Sequence, residues 1–204
     1  HDGKILLPFM PFQELSDDDV VAILSFLRSR PAVKNIVPKT EYKFLGKALL
    51  ALGAIKPVGP NKTPKKSVVK DTTFEYGEYI ANSVANCVGC HTNRDMKTGK
   101  NIGPPFAGGL YFPPDKYSNG FSFVTPNITP DKETGIMAQW DQTTFVNRFK
   151  AGRIHYGSHM PWETMSRIDE VELKALYEYL QHLKPVKNKI DRVVFEPGEK
   201  YAAN

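Results

Sequence analysis

The two cysteines of this chain stand together in one run, Cys87-Val88-Gly89-Cys90-His91, and a C-x-x-C-H run is the attachment signature of a c-type haem. The spacing has a chemical reason. Two thiols on one turn can each add across a haem vinyl group, which places the next imidazole against the iron as its proximal ligand. The competing readings each meet an obstacle. A zinc site would need a second ligand pair, and the chain holds no further Cys to supply it. A thioredoxin-like pair would sit at the end of a strand in a βαβ pattern, whereas the flanks here read as a helix running into a loop. A disulfide across two intervening residues closes only a small, strained ring.

Composition sets wider limits. With 204 residues, 41% of them hydrophobic, the chain has room for one or two ordinary cores. Its longest strongly apolar stretch, residues 48–55, is far too short to cross a bilayer, so membrane association would be peripheral. The formal net charge of +5 and the isoelectric point near 9.1 favour acidic partners through long-range steering. The lysines are scattered and no nucleic-acid-reading motif accompanies them, so acidic protein surfaces or anionic membrane faces fit better than RNA or DNA. The start at His1, with no Met and no signal peptide, reads as a processed or incomplete chain.

An internal repeat organises the sequence. Met10-Pro11-Phe12 precedes Ser16-Asp17-Asp18-Asp19-Val20, a helical run to Leu27, and Pro31-Ala32-Val33; downstream, Met160-Pro161-Trp162 precedes Ile168-Asp169-Glu170-Val171, a helical run to Leu183, and Pro185-Val186. The second half-module has C-x-x-C-H upstream and the first does not. The expected organisation is therefore the C-terminal portion of a first haem domain plus a covering helix (1–55, the helix within 42–55), a Lys/Pro-rich linker (56–70), a complete haem domain (71–187) and a C-terminal tail (188–204).

Within the complete domain, Thr72-Thr73-Phe74-Glu75 offers a capping box, followed by Tyr76, Ile80 and Val84 on one helix face. Ser166 or Asp169 can begin a last helix carrying the stripe Val171, Ala175, Tyr179, Leu183. Gly77 lacks a side chain and would let the helix of Tyr179 approach closely.

The sixth iron ligand must come from elsewhere. A thioether favours ferrous iron and raises the potential, while a second imidazole leaves it lower. Met96 is too near His91 in sequence to reach the opposite haem face, and Met137 and Met165 sit in apolar contexts that suit packing. Met160 precedes a Pro in a loop between helices, as Met10 does, and the pair of Met-Pro sites favours ligation. His155 and His159 are the rivals that would give bis-His ligation; His182 suits the C-terminal carbonyls of the last helix.

Together with Cys87 to His91, the segments Gly103-Pro104-Pro105-Phe106-Ala107-Gly108-Gly109, Thr125-Pro126-Asn127-Ile128-Thr129-Pro130-Asp131, Glu133-Thr134-Gly135-Ile136, Trp140, Phe145 and Met160-Pro161-Trp162 resemble the cytochrome c domains of multihaem cytochromes, the cytochrome subunits of membrane alcohol and gluconate dehydrogenases. The resemblance covers about residues 72–186. It implies an all-α, class I cytochrome c fold around one covalent haem c, preceded by the C-terminal part of a second, incomplete cytochrome c-like domain, with His91 and Met160 axial. It further implies that Pro104 or Pro105 offers a carbonyl to the free ring nitrogen of His91, that Thr125, Asn127, Thr129 and Trp140 lie along the haem edge, and that Arg148 and Arg153 are propionate partners if they are not simply solvated. The Thr-Pro-Asn-Ile-Thr-Pro-Asp segment is equally a loop of Asx and Ser/Thr turns. Met10 would ligate a second haem attached to polypeptide outside this sequence, unless the first domain is degenerate.

The expected function is electron transfer rather than substrate turnover, because a six-coordinate iron has no open position. The implied partners are a dehydrogenase, an oxidase or other cytochromes, and the implied place is the periplasmic or extracytoplasmic face of the membrane. A dihaem peroxidase and a haem-based gas sensor are the alternatives, and the Met-Pro loop argues against both.

Overall fold

The computed structural model describes residues 14–36, 38, 41–54, 63, 65–96 and 98–201. The chain divides into two compact units, His1–Val68 and Val69–Asn204. Met10 and most of the 56–70 linker lie outside the described residues.

In the first unit, helix α1 (Asp17–Arg28) starts because Ser16 caps it, its hydroxyl accepting from the Asp19 N–H at 3.2 Å, with three aspartates in the first turn facing the positive helix end. Two more of its terminal N–H groups, those of Asp17 and Asp18, donate to the Lys65 and Lys66 carbonyls, so this part of the linker closes the helix end. Helix α2 (Phe44–Ala51) falls within the stretch read as helical and buries no residue.

In the second unit, Thr73 caps helix α3 (Phe74–Tyr79), one residue later than Thr72, because the Thr73 hydroxyl is the one that meets the Tyr76 N–H. The helix then widens into a π-helical segment, Ile80–Val84, where the Ala85 N–H reaches the Ile80 carbonyl at 2.8 Å, an i to i+5 bond of the kind that often marks functional sites. Asn86, in the left-handed region at φ 49°, turns the chain into the four-residue helix α4 (Cys87–Cys90). Helices α5 (Gln142–Lys150), α6 (Trp162–Met165) and α7 (Glu170–Gln181) follow; the Asp141 side chain caps α5, and Asp169 with Glu172 forms the capping box of α7. Ser166 instead ends α6.

The all-α expectation needs a correction. Strands β1 (Tyr111–Phe112), β2 (Ser122–Val124) and β3 (Val194–Phe195) form a small antiparallel sheet in that order, pairing Phe112 with Phe123 and Phe123 with Val194. Residues read as a C-terminal tail thus supply a strand, and Tyr201 stacks on Tyr111 with centroids 4.5 Å apart. Two- and three-residue strands carry too little period-2 pattern to be read from sequence.

The core lies between α3 and α7. A Cβ on Gly77 would stand 2.0 Å from the Ala175 carbonyl oxygen and 2.8 Å from the Tyr179 Cβ, so only glycine allows this approach. Leu173, Ala175 and Leu176 are fully buried behind it, each leucine contributing about 1.5–3 kcal/mol. Val171 and Val84, placed on the stripes by periodicity, are 40% and 48% exposed; the 3.6-residue period overextends the face at each helix end.

The repeat reappears when α1 and α7 are aligned from their caps, Ser16 and Asp169. Val20, Ala22, Ile23, Phe26 and Leu27 then match Leu173, Ala175, Leu176, Tyr179 and Leu180. The α7 members are all buried, whereas Phe26 and Leu27 are 60% and 59% exposed. The two helices carry the same apolar face.

Substituting Gly77 by Ala is expected to destabilise the second unit by roughly 2 kcal/mol or more, since backbone rather than a flexible side chain must give way; urea unfolding followed by circular dichroism checks it.

Candidate functional site

A cavity of about 350 Å³ opens within the second unit. Its wall collects Cys87 and Cys90 from α4, His91 from its C-cap, Met160 from the α5–α6 loop, Trp140, and a set of apolar side chains including Phe112, Phe145, Leu176 and Leu180. The apparatus of one sequence motif and the Met-Pro loop 70 residues away therefore meet at one space.

Both cysteines are free thiols. Burial in the apolar wall pushes the Cys87 thiol up to about 12 and that of Cys90 in the same direction, with the Arg94 charge opposing the latter. His91 is buried, and its Nδ1 stands 3.0 Å from the Pro126 carbonyl oxygen. That contact assigns the proton to Nδ1 and leaves Nε2 as the nitrogen with a lone pair for a metal. Burial also pushes the imidazole pKa down, favouring the neutral form a metal needs.

The carbonyl that orients His91 thus belongs to Pro126, not to Pro104 or Pro105. Neither of those prolines lines the cavity; the Pro104 carbonyl accepts from the Ala107 N–H within its own turn. The Gly103 to Gly109 segment serves another purpose. The His91 carbonyl accepts from the Gly108 N–H at 2.8 Å, and Gly108, at φ 72°, lets residues 107–109 run against Thr125 and Pro126 where a Cβ would stand 2.4 Å from the Thr125 oxygen.

Thr125, Pro126, Ile128 and Trp140 line the cavity, but Asn127 and Thr129 do not. Asn127 is a buried hub: its amide donates to the Val186 carbonyl at 2.8 Å and the Thr134 hydroxyl at 3.1 Å, and its oxygen accepts from the Thr129 N–H and hydroxyl. Asp131 accepts from the Thr134 N–H and hydroxyl, which hold its carboxyl below the usual range. The segment is a loop of side-chain-to-backbone turns that pins residues 186–188 beside the cavity.

Met137 and Met165, read as packing residues, are buried and also reach the wall. His155 and His159 line it too. The His159 ring, however, is stacked on Phe112 at 4.7 Å, and its Nε2 stands 3.5 Å from Asp115. Of the two arginines, Arg148 is on the wall, with its guanidinium 3.7 Å above the Trp162 ring and one donor on the Gly152 carbonyl. Arg153 is not; its donors go to Glu163, Ser158 and Met160. His182 does sit at the end of α7, Nδ1 2.8 Å from the Glu178 carbonyl.

The donor set fits a c-type haem: two unpaired thiols, an imidazole with its outer nitrogen engaged and a thioether, all on one largely apolar wall. It does not fit zinc, because among the described residues no three His, Cys, Asp or Glu side chains cluster to hold a metal ion. No described helix is long and apolar enough to cross a membrane.

Replacing Asn127 by Leu is expected to cost roughly 2–3 kcal/mol, because Thr129, Thr134 and the Val186 carbonyl lose partners inside the protein; chemical denaturation checks it.

No family model matches the chain. Among curated proteins it is 26% identical to the cytochrome c subunit of the quinone alcohol dehydrogenase of Gluconobacter oxydans (strain 621H), over 91% of this chain and 41% of that protein. It is 34% identical to the gluconate 2-dehydrogenase cytochrome c subunit of Pantoea cypripedii, over 55% of this chain and 23% of that one. It is 26% identical to the fructose dehydrogenase cytochrome subunit of Gluconobacter japonicus, over 88% and 37%. The chain thus spans less than half the length of these relatives. By sequence it resembles the cytochrome c subunits of alcohol, gluconate and fructose dehydrogenases.

Proposed function

We propose that the chain is an electron-transfer protein carrying one haem c on its second unit, as a carrier or subunit of an extracytoplasmic respiratory chain. The observation that carries the proposal is the convergence of Cys87, Cys90, His91 and Met160 on one apolar cavity. Cys87 and Cys90 would form the thioethers, each S–H adding across a vinyl C=C with no change of oxidation state. His91 Nε2 would be the proximal ligand and Met160 Sδ the distal one, and the haem supplies the Fe(II)/Fe(III) couple.

The chain's own residues set the conditions for that couple. The Pro126 carbonyl fixes the His91 tautomer and makes Nε2 a better donor. Trp140, Phe145, Leu176 and Leu180 exclude water from the ligands, and Arg148 is the strong cation on the wall for a propionate. Met160 is preferred to His159 because the latter ring is engaged with Asp115 and Phe112. His155 is the remaining rival on the wall.

The matching apolar faces of α1 and α7 support a second reading for the first unit, as the closing part of another cytochrome c-like domain with Met10 as its distal ligand. The names of the relatives support a dehydrogenase as redox partner, with a quinone named for the alcohol dehydrogenase; an oxidase or another cytochrome as a further partner rests on the resemblance of the sequence motifs. The basic charge suits acidic docking surfaces.

Expressed with export and haem attachment, the protein is expected to show one covalent haem by intact mass, a haem c reduced-minus-oxidised spectrum and the weak far-red thioether band of the ferric form. Met160→Ala is expected to abolish that band and lower the reduction potential while keeping the covalent haem; a band that survives would reject Met160.

A further inference from the structure

The loop that carries Met160, residues 151–161 between α5 and α6, is irregular and is held by side chains and close backbone approach rather than by a helix or strand: His159 stacks on Phe112 beside Asp115, Gly157 runs against the Ser118 backbone, and Arg148 bonds the Gly152 carbonyl. It contains no helix or strand, Ile154 and Tyr156 are 62% and 64% exposed, and Gly152 and Gly157 both take positive φ. The position of a ligand on such a loop depends on the contacts that hold its backbone, and those nearest Met160 come from Arg153.

Its guanidinium makes four contacts. Nη1 donates to the Ser158 carbonyl at 2.6 Å and Nη2 to the Met160 carbonyl at 3.4 Å; Nε and Nη2 form a fork on the Glu163 carboxylate at 2.5 and 2.7 Å. Glu163 belongs to α6, whose packing is fixed by Met165 in the core and by Trp162 against Phe149. One side chain therefore ties the loop's first residues to its end and to the helix that follows. On its other side the Met160 N–H donates to the Ser158 hydroxyl at 3.3 Å. Charge-assisted bidentate pairs are the stronger class of hydrogen bond, and the planar fork with five donors is particular to arginine.

We propose that Arg153, braced by Glu163, is the positioning residue for the Met160 sulfur, a clamp that sets how readily the distal ligand is displaced. This rests on Met160 being that ligand. The clamp's hydrogen bonds to the loop go to the backbone carbonyls of Ser158 and Met160. Loosening it should leave haem attachment intact while letting an added ligand compete for the iron.

Imidazole titration of the ferric holoprotein tests it. Arg153→Ala and Glu163→Gln are expected to bind imidazole roughly tenfold or more tightly than the parent, as expected for the loss of charge-assisted hydrogen bonds. Arg153→Lys should fall between, since an ammonium keeps the charge but cannot form the planar two-donor fork on the carboxylate. Lys187→Ala, which removes the ion pair with Glu133 elsewhere on the surface, should match the parent. If Arg153→Ala yields no holoprotein, Glu163→Gln and Arg153→Lys decide. Affinities within about twofold of the parent, even with reduced thermal stability, would overturn the clamp alone. A parent that lacks the far-red band and shares its spectrum with Met160→Ala would overturn both the clamp and the ligand assignment beneath it.

Discussion

The contact of the Ala175 backbone with Gly77 is the constraint on which the rest of the second unit depends. Because no Cβ intervenes, α7 lies directly on α3, and Leu176 and Leu180 are delivered to one side of a cavity while the π-helical end of α3 leads through Asn86 into the cysteine helix. A methyl group at position 77 would push the helices apart and carry the cavity wall with them. The Tyr76 hydroxyl adds a polar tie across the same crossing, donating to Glu172 at 3.0 Å.

A second layer of control acts through backbone carbonyls. Pro126 fixes His91, the His91 carbonyl in turn takes the Gly108 N–H, and Asn127 binds the segment carrying Pro126 to residues 186–188. Imidazole orientation is thus coupled to a loop and to the stretch that leads into β3. These are buried, satisfied hydrogen bonds, which specify geometry more than they add net stability. The Met160 side of the cavity is built differently, from an irregular loop held by charged side chains.

The cytochrome c resemblance and the electron-transfer reading agree with the relatives' names, yet residues given equal weight in the motifs take different parts. In the Gly103 to Gly109 segment the prolines shape a turn and the glycines permit close approach. In the Thr-Pro-Asn-Ile-Thr-Pro-Asp segment Pro126 meets the histidine, while Asn127 bonds away from the cavity. The neighbouring pair can serve two places because Pro126 uses its main-chain carbonyl and Asn127 its side-chain amide.

The sequence by itself determined what depends on short-range chemistry: the two thiols and imidazole of residues 87–91, the repeated Met-Pro and helical runs, and the side-chain-free residue at Gly77; that Ser16 and Asp169 are the caps, and that Ser166 ends α6, was decided by the structure. Tertiary structure alone decided which carbonyl meets His91, that residues 194–195 join a sheet, that Met137 and Met165 reach the wall, and that Arg153 turns to Glu163 rather than to the cavity. The physical reason is range. Caps, periods and motif spacing act within a few residues along the chain, whereas hydrogen bonds such as that from His91 to Pro126 join positions 35 apart and exist only once packing has brought the segments together.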